Sequence, residues 1–272
     1  MKEGSSFNTL NHWENRAANW LLRHRLAYIQ DTSGTDVSFF QKQISYLSNF
    51  YTVPNRAQNR LQDSHVTIIG VGGIGSVILQ HLVGAGIQKF HLIDGDLVEK
   101  SNFNRQFIYS LSDVGSLKAN AAKNYVLSRT EFADVFVSNE FVLNRYDLES
   151  IIFEGTDIII VAADKPHSIN HFTLCTAWHK QIPIIFGGVG IRWGHWGPLL
   201  DMRRKKNIDL ARSLLNSPLN ENVFVPQSSF GPTNSFIGVK IANDVISFIS
   251  GSKPPLSFNR KLTVNFEDLK FY

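Results

Sequence analysis

Polar and apolar positions change period several times along the chain. Between positions 66 and 187, short apolar runs predict strands at 66–70, 89–94, 133–138, 157–162 and 182–187. The intervals carry helical periodicity at 73–84, 145–153 and 167–180, and Ser112 is placed to cap a helix running to about 130. Short hydrophobic strands separated by helices predict a parallel sheet covered on both faces. After Gly187 the pattern shifts: "GGVGIRWGHWGPLLDM" predicts one or two antiparallel strands, and the polar stretch 203–224 reads as a flexible crossover. A helix over 228–251 follows a Gly-Pro turn and stops at Gly251, and "KLTVNFEDLKFY" reads as a terminal strand or hairpin. Upstream, Leu10, Trp13, Ala17, Trp20, Leu21 and Ala27 mark an amphipathic helix over 9–30. Phe39, Phe40, Ile44 and Leu47 mark a shorter one over 37–50. The division expected is a helical extension over 1–55 and a main domain over 56–272.

Composition narrows the class. The 272 residues suffice for one sizeable α/β domain with additions, and 43% hydrophobic with 18% charged residues is ordinary for a water-soluble protein. The chain is mildly basic, with a formal charge of +4 and a pI near 9.1. Much of that charge sits in Arg16, Arg23 and Arg25 and in "RRKK" at 203–206, which reads first as a solvated face. No run of 18 apolar residues and no apolar signal core are visible, so neither a membrane span nor export is expected, and the cytoplasm is the expected location. No nucleic-acid partner is expected. The lone Cys175 excludes a disulfide framework within the chain and a cysteine-built zinc site.

Candidate chemistry begins at the first predicted strand. Gly70, Gly72 and Gly75 form G-x-G-x-x-G between a strand and a helix, with Gly73 among them, and Asp94 closes the next strand. Glycines let the backbone approach phosphate or sugar, the helix N-terminus favours negative charge, and the acid can accept from ribose hydroxyls. This pattern does not separate NAD from ATP. The segment after it does. Asp96, Asn102, Asn104, Arg105 and Gln106, then Lys118, suit oxygen-rich phosphates and can neutralise charge as pyrophosphate leaves. Asp164 ends the fourth strand, where a carboxylate points into the ligand crevice and suits magnesium. Histidines are read as packing first. His167 and His171 have metal-compatible spacing but no evident third ligand, and Arg192, Trp193, His195 and Trp196 are read as packing with substrate contact second.

At "GVGGIG…DGDLVEKSNFNRQF…VGSLKA…VAADKP" the chain resembles the ThiF/MoeB/HesA superfamily of adenylating enzymes, over about 56–250. "WGPLL" and "SFGPTNSFIGVKIANDVISFISG" look more like its peptide-modifying branch, as in microcin C and pantocin-type biosynthesis. The resemblance implies a Rossmann-like, mostly parallel sheet with antiparallel C-terminal strands and a helical N-terminal extension. It implies that Gly72 and its neighbours underlie ATP and that Asp94 holds the ribose. Asn102, Arg105, Gln106 and Lys118 would surround the triphosphate, and Asp164 would bind Mg²⁺. A substrate carboxylate would then attack the α-phosphate. A homodimer is implied too, with Lys42, Arg56 and Arg60 as open choices for a basic residue donated across it.

Departures refine the expectation. Many relatives carry two C-x-x-C zinc pairs, the first near 203–212, where "RRKKNIDLAR" stands, so no zinc is expected. Cys175 sits within "HFTLCTAWHK" and reads as structural, which disfavours thioester or persulfide chemistry. The resulting expectation is ATP-dependent adenylation of a carboxyl group on a ribosomally made precursor peptide, driving amide, imide or ring formation. The rivals are activation of a ubiquitin-like sulfur carrier, an inactive binding scaffold, and a simple NAD oxidoreductase.

Overall fold

The computed structural model describes residues 37–215 and 228–272. The helix expected over 9–30 lies outside the described residues. The chain divides into two compact units, 1–59 and 60–272. In the first, helix α1 (Val37–Leu47) buries Phe40, Ile44 and Leu47, the i, i+4, i+7 stripe expected of one face. Gln43 donates to Gln58 of the next helix, α2 (Pro54–Asp63), at 2.7 Å.

The second unit is built on a seven-stranded sheet of order β3-β2-β1-β4-β5-β6-β7. Its strands are β1 (His65–Ile69), β2 (Lys89–Ile93), β3 (Asp134–Ser138), β4 (Ile158–Val161), β5 (Ile184–Val189), β6 (Trp193–Leu200) and β7 (Leu262–Asn265). β1 to β5 pair in parallel, whereas β6 and β7 join antiparallel, as the sequence predicts. The period-2 geometry of a strand divides the core cleanly. Ile158 and Ile160 enter one apolar cluster, Ile159 and Val161 the other. The first cluster takes in residues of α3 (Gly73–Gly84), α4 (Lys118–Leu127) and α8 (Gly231–Ser250); the second takes in residues of α5 (Arg145–Ile151), α6 (Ile169–Lys180) and α7 (Lys205–Leu215). Burial on both faces explains why these strands are continuous apolar runs. Among the described residues no helix is long and apolar enough to cross a membrane.

Two expectations are corrected. The stretch 203–224 does not begin as a crossover: Lys205–Leu215 is helical, and Ala211 and Leu210 pack into the second core cluster. Its narrow apolar stripe was hidden by the run of basic residues before it. The helix expected from Ser112 starts later, at Lys118. Leu111–Asp113 is a separate 3₁₀ turn, held by a capping box between Ser110 and Asp113. What sets the true start is tertiary: the Lys118 amide donates to the Asp96 carbonyl at 2.9 Å, and Leu97 bridges Leu117.

Candidate active site

The strand order reverses beside β1, which has β2 on one side and β4 on the other. In such sheets a crevice opens at the carboxyl ends of the two diverging strands. Here it measures about 610 Å³ and is walled by the ends of β1, β2, β4 and β5. β1 ends in a turn at Gly70, whose φ of +87° lies in the left-handed region, and α3 begins at Gly73. Gly72, the residue before the helix, offers no side-chain cap, so the first amides of α3 face the crevice without intrahelical partners. Gly73 sits at a close approach to a side chain that a larger residue would have to displace. A Cβ there would overlap the Asn234 side chain at the start of α8.

Asp94 spans both turns of the crevice floor. One carboxylate oxygen accepts the Val71 amide at 2.8 Å, the other the Asp96 amide at 2.9 Å. Burial pushes its carboxyl pKa up, against the opposing pull of those amides and of Lys118. Asp96 in turn accepts the Lys118 ammonium at 2.8 Å; the lysine side chain is 9% exposed and the aspartate 55%. A buried cation therefore stands at the first turn of α4 with its counter-ion turned to solvent. Tyr109, buried behind this floor, donates its hydroxyl to the Val71 carbonyl at 2.8 Å, and burial holds its pKa well above the usual value.

The polar segment is ordered by short-range bonds. The Asn102 side chain accepts the Glu99 amide at 3.0 Å, and its carbonyl accepts the amides of Arg105 and Gln106. The Arg105 guanidinium donates to the Ser101 carbonyl at 3.0 Å and to the Asn104 side chain at 2.9 Å. Asn104 reaches across to the Ser229 carbonyl at 2.9 Å. Gln106 is buried, and its side-chain oxygen has no partner among the described residues.

Of the expected residues, Gly70, Gly72, Gly73, Asp94, Asp96, Arg105, Gln106, Lys118 and Asp164 line one crevice. Gly75, Asn102 and Asn104 are not among its lining residues. Residues 140–142 after β3, 187–189 at the end of β5, and Ser228, Ser229 and Asn234 also line it, and none of them is expected there from the sequence. Only the last group had a signal, the "SFGPTN" that opens α8. Of the residues after β5, His195 and Trp196 are packed, whereas Arg192 and Trp193 are exposed. Cys175 is half-buried on α6, where burial raises its thiol pKa.

The uncapped helix N-terminus fits an oxygen-rich phosphate group, whereas the orphaned Gln106 oxygen, an acceptor, fits a hydroxyl or amino donor of a ligand. Among the described residues no group of three His, Cys, Asp or Glu side chains is arranged to hold a metal. Asp164, an exposed single carboxylate, fits magnesium in its usual manner, with phosphate oxygens and water completing the shell.

A doubly wound sheet with a phosphate-oriented crevice at its switch point defines an α/β nucleotide-binding protein. The ThiF family model matches residues 44–271, and the chain belongs to that family. It is 27% identical over 198 residues to the adenylyltransferase and sulfurtransferase UBA4 of Meyerozyma guilliermondii, covering 72% of this chain and 45% of that protein. It is 34% identical over 135 residues to the SAMP-activating enzyme E1 of Haloferax volcanii, covering 48% of each. The chain thus spans less than half the length of these curated relatives. Among solved structures, E. coli MccB with AMPCPP and MccA superposes with a TM-score of 0.76 at 27% identity, over 88% of this chain and 71% of that one. PaaA superposes with a TM-score of 0.74 at 28% identity, over 89% and 84%.

Proposed function

We propose that the protein adenylates a carboxyl group of a ribosomally made precursor peptide, with ATP as the adenylyl donor. The observation that carries this reading is the crevice itself. An uncapped helix N-terminus, Lys118, Arg105 and Asp164 line one cavity, an arrangement suited to a triphosphate and not to hydride transfer. A carboxylate oxygen of the substrate would attack the α-phosphorus. The bond from that phosphorus to its bridging oxygen would break, and pyrophosphate would leave with the electron pair. Gly70, Gly72 and Gly73 let the nucleotide approach the backbone, and Asp94 accepts from the ribose. Lys118 and Arg105 offset charge growing on the departing oxygens, and Asp164 would hold Mg²⁺, which supplies further neutralisation when bound. No protein nucleophile is needed: positioning and charge stabilisation do the chemistry.

The choice of a peptide is supported by MccB, whose structures include complexes with ATP and with the MccA peptide, and by PaaA. The adenylate would then drive amide, imide or ring formation, in the cytoplasm and in a homodimer. A second reading, activation of a sulfur-carrier protein, is favoured by the likeness to UBA4 and the SAMP-activating enzyme. Incubation of the purified protein with ATP, Mg²⁺ and candidate peptides, following AMP and pyrophosphate, tests both. Peptide-dependent AMP formation supports the first. Pyrophosphate exchange stimulated by a Gly-Gly-ended carrier and not by peptides replaces it with the second. Peptide modification at full rate without ATP overturns both.

A further inference from the structure

The sheet carries a second cavity, of about 780 Å³, at the end opposite the crevice. It lies where β1 and β4 begin and where the antiparallel β6 ends, against the last turn of α8. Its basic side chains are held in an unusual way. The Asp201 carboxylate, only 5% exposed, accepts the Arg203 guanidinium as a fork at 2.7 and 3.2 Å, and the Arg204 guanidinium on one oxygen at 3.1 Å. Burial alone would raise the Asp201 pKa, but the hydrogen bonds and charge of Arg203, joined by Arg204, hold it below the ordinary range. One carboxylate thus anchors two guanidinium groups, and the Asp157 carboxylate on the same cavity wall adds its attraction to Arg203.

The two arginines remain 56% and 64% exposed, so the N–H edges not engaged by Asp201 stay accessible at the cavity wall. Each also rests near an aromatic ring: Arg203 is 5.8 Å from the Phe248 ring centre and Arg204 5.3 Å from that of Phe258. Guanidinium groups fixed in this manner lose little freedom on meeting a planar oxyanion, and their forked donors match carboxylate and phosphate geometry. The adjoining loop is tied down. Buried Asp244 accepts the amides of Leu256 and Ser257 at 2.9 Å and the Ser257 hydroxyl at 2.6 Å, tying the loop after Pro254-Pro255 to α8. The cavity is larger than a bare ion requires, and its prolines and phenylalanines add apolar surface.

We propose that this cavity is a second ligand site, distinct from the nucleotide crevice, for a small molecule joining a carboxylate or phosphate to an apolar body. Arg203 and Arg204 hold the oxyanion, and Phe248, Phe258 and the proline pair hold the remainder. The site does not depend on the adenylation reading.

Chemical-shift titration of the full chain tests it, using N-acetylphenylalanine, its uncharged amide and inorganic phosphate as probes. Saturable perturbation of the Arg203, Arg204 and Ser257 signals by N-acetylphenylalanine is expected, with weaker binding of its amide. Phosphate binding as tight as that of N-acetylphenylalanine would overturn the apolar part of the proposal. Arg204→Gln leaves the Arg203 fork on Asp201 in place and should weaken the acid about tenfold or more, a loss of about 1.4 kcal/mol. Lys118→Ala, in the crevice, should leave the titration unchanged. No saturable response in the parent protein, or equal affinity in Arg204→Gln, would overturn the site.

Discussion

The Lys118 ammonium lies 2.8 Å from the Asp96 carboxylate, and the backbone amide of the same lysine donates to the carbonyl of the same aspartate at 2.9 Å. This double clasp sets both where α4 begins and where its cation points. Removing the charge should therefore separate catalysis from folding. Lys118→Met should keep the backbone clasp and, because Asp96 is largely in solvent, cost little stability. On the adenylation reading it should lower pyrophosphate exchange by about 10²–10³-fold, the scale of losing one preorganised charge partner in a transition state. Exchange rates with a parallel melting curve check this.

The glycines of the turn have unequal duties. A Cβ on residue 75 would overlap the Gly70 carbonyl oxygen, whereas a Cβ on residue 72 would meet nothing nearer than the Gln106 amide nitrogen at 3.8 Å. Gly75→Ala should destabilise the fold by about 3 kcal/mol, as overpacking does. Gly72→Ala should melt close to the parent yet raise the KM for ATP, because its methyl group stands on the crevice wall. Denaturant midpoints and ATP titrations distinguish the two.

Asp94 carries a raised pKa, caused first by burial. The ionised carboxylate accepts from ribose hydroxyls more strongly than the protonated acid. The KM for ATP should therefore fall as pH rises through that raised pKa and increase again below it. In Asp94→Asn this acid limb should be absent and the KM higher throughout. A pH series of KM for both proteins provides the check.

His91 and His195 are both pushed down to about 4 by burial, with His65 and Lys261 adding to the respective effects. A lowered folded-state pKa means that the unfolded chain binds more protons between the two values. Stability is then complete above about pH 6.5 and declines as pH falls toward 4, with each histidine contributing on the order of 3 kcal/mol. His91→Gln can keep a hydrogen bond to Ser138, now 2.9 Å from the imidazole, without titrating. Its melting temperature should fall less steeply over that interval. An equally steep fall would show that His91 is not neutral in the folded protein.

How much of the site was legible depended on the range of the interactions. The strand, glycine turn and helix at 65–84 were readable because local conformational need and apolar period coincide there. Arg105, Gln106 and Lys118 were readable by chemical type. Asn234, Ser228, Ser229 and the Glu140–Val142 wall were not, since each reaches the crevice from an element distant in the chain. The helix at Lys205–Leu215 was missed for another reason: few of its residues are buried, so four basic residues outweighed a weak apolar stripe.

The sequence by itself determined the alternation of strand and helix, the nucleotide turn, the inventory of phosphate-oriented side chains and the single cysteine. Those properties follow from local sterics, burial period and side-chain chemistry. Tertiary structure alone decided which side chains share the crevice, where α4 begins, and that Arg203 and Arg204 rest against Phe248 and Phe258. These depend on strand order and on contacts between remote segments, which no local pattern encodes.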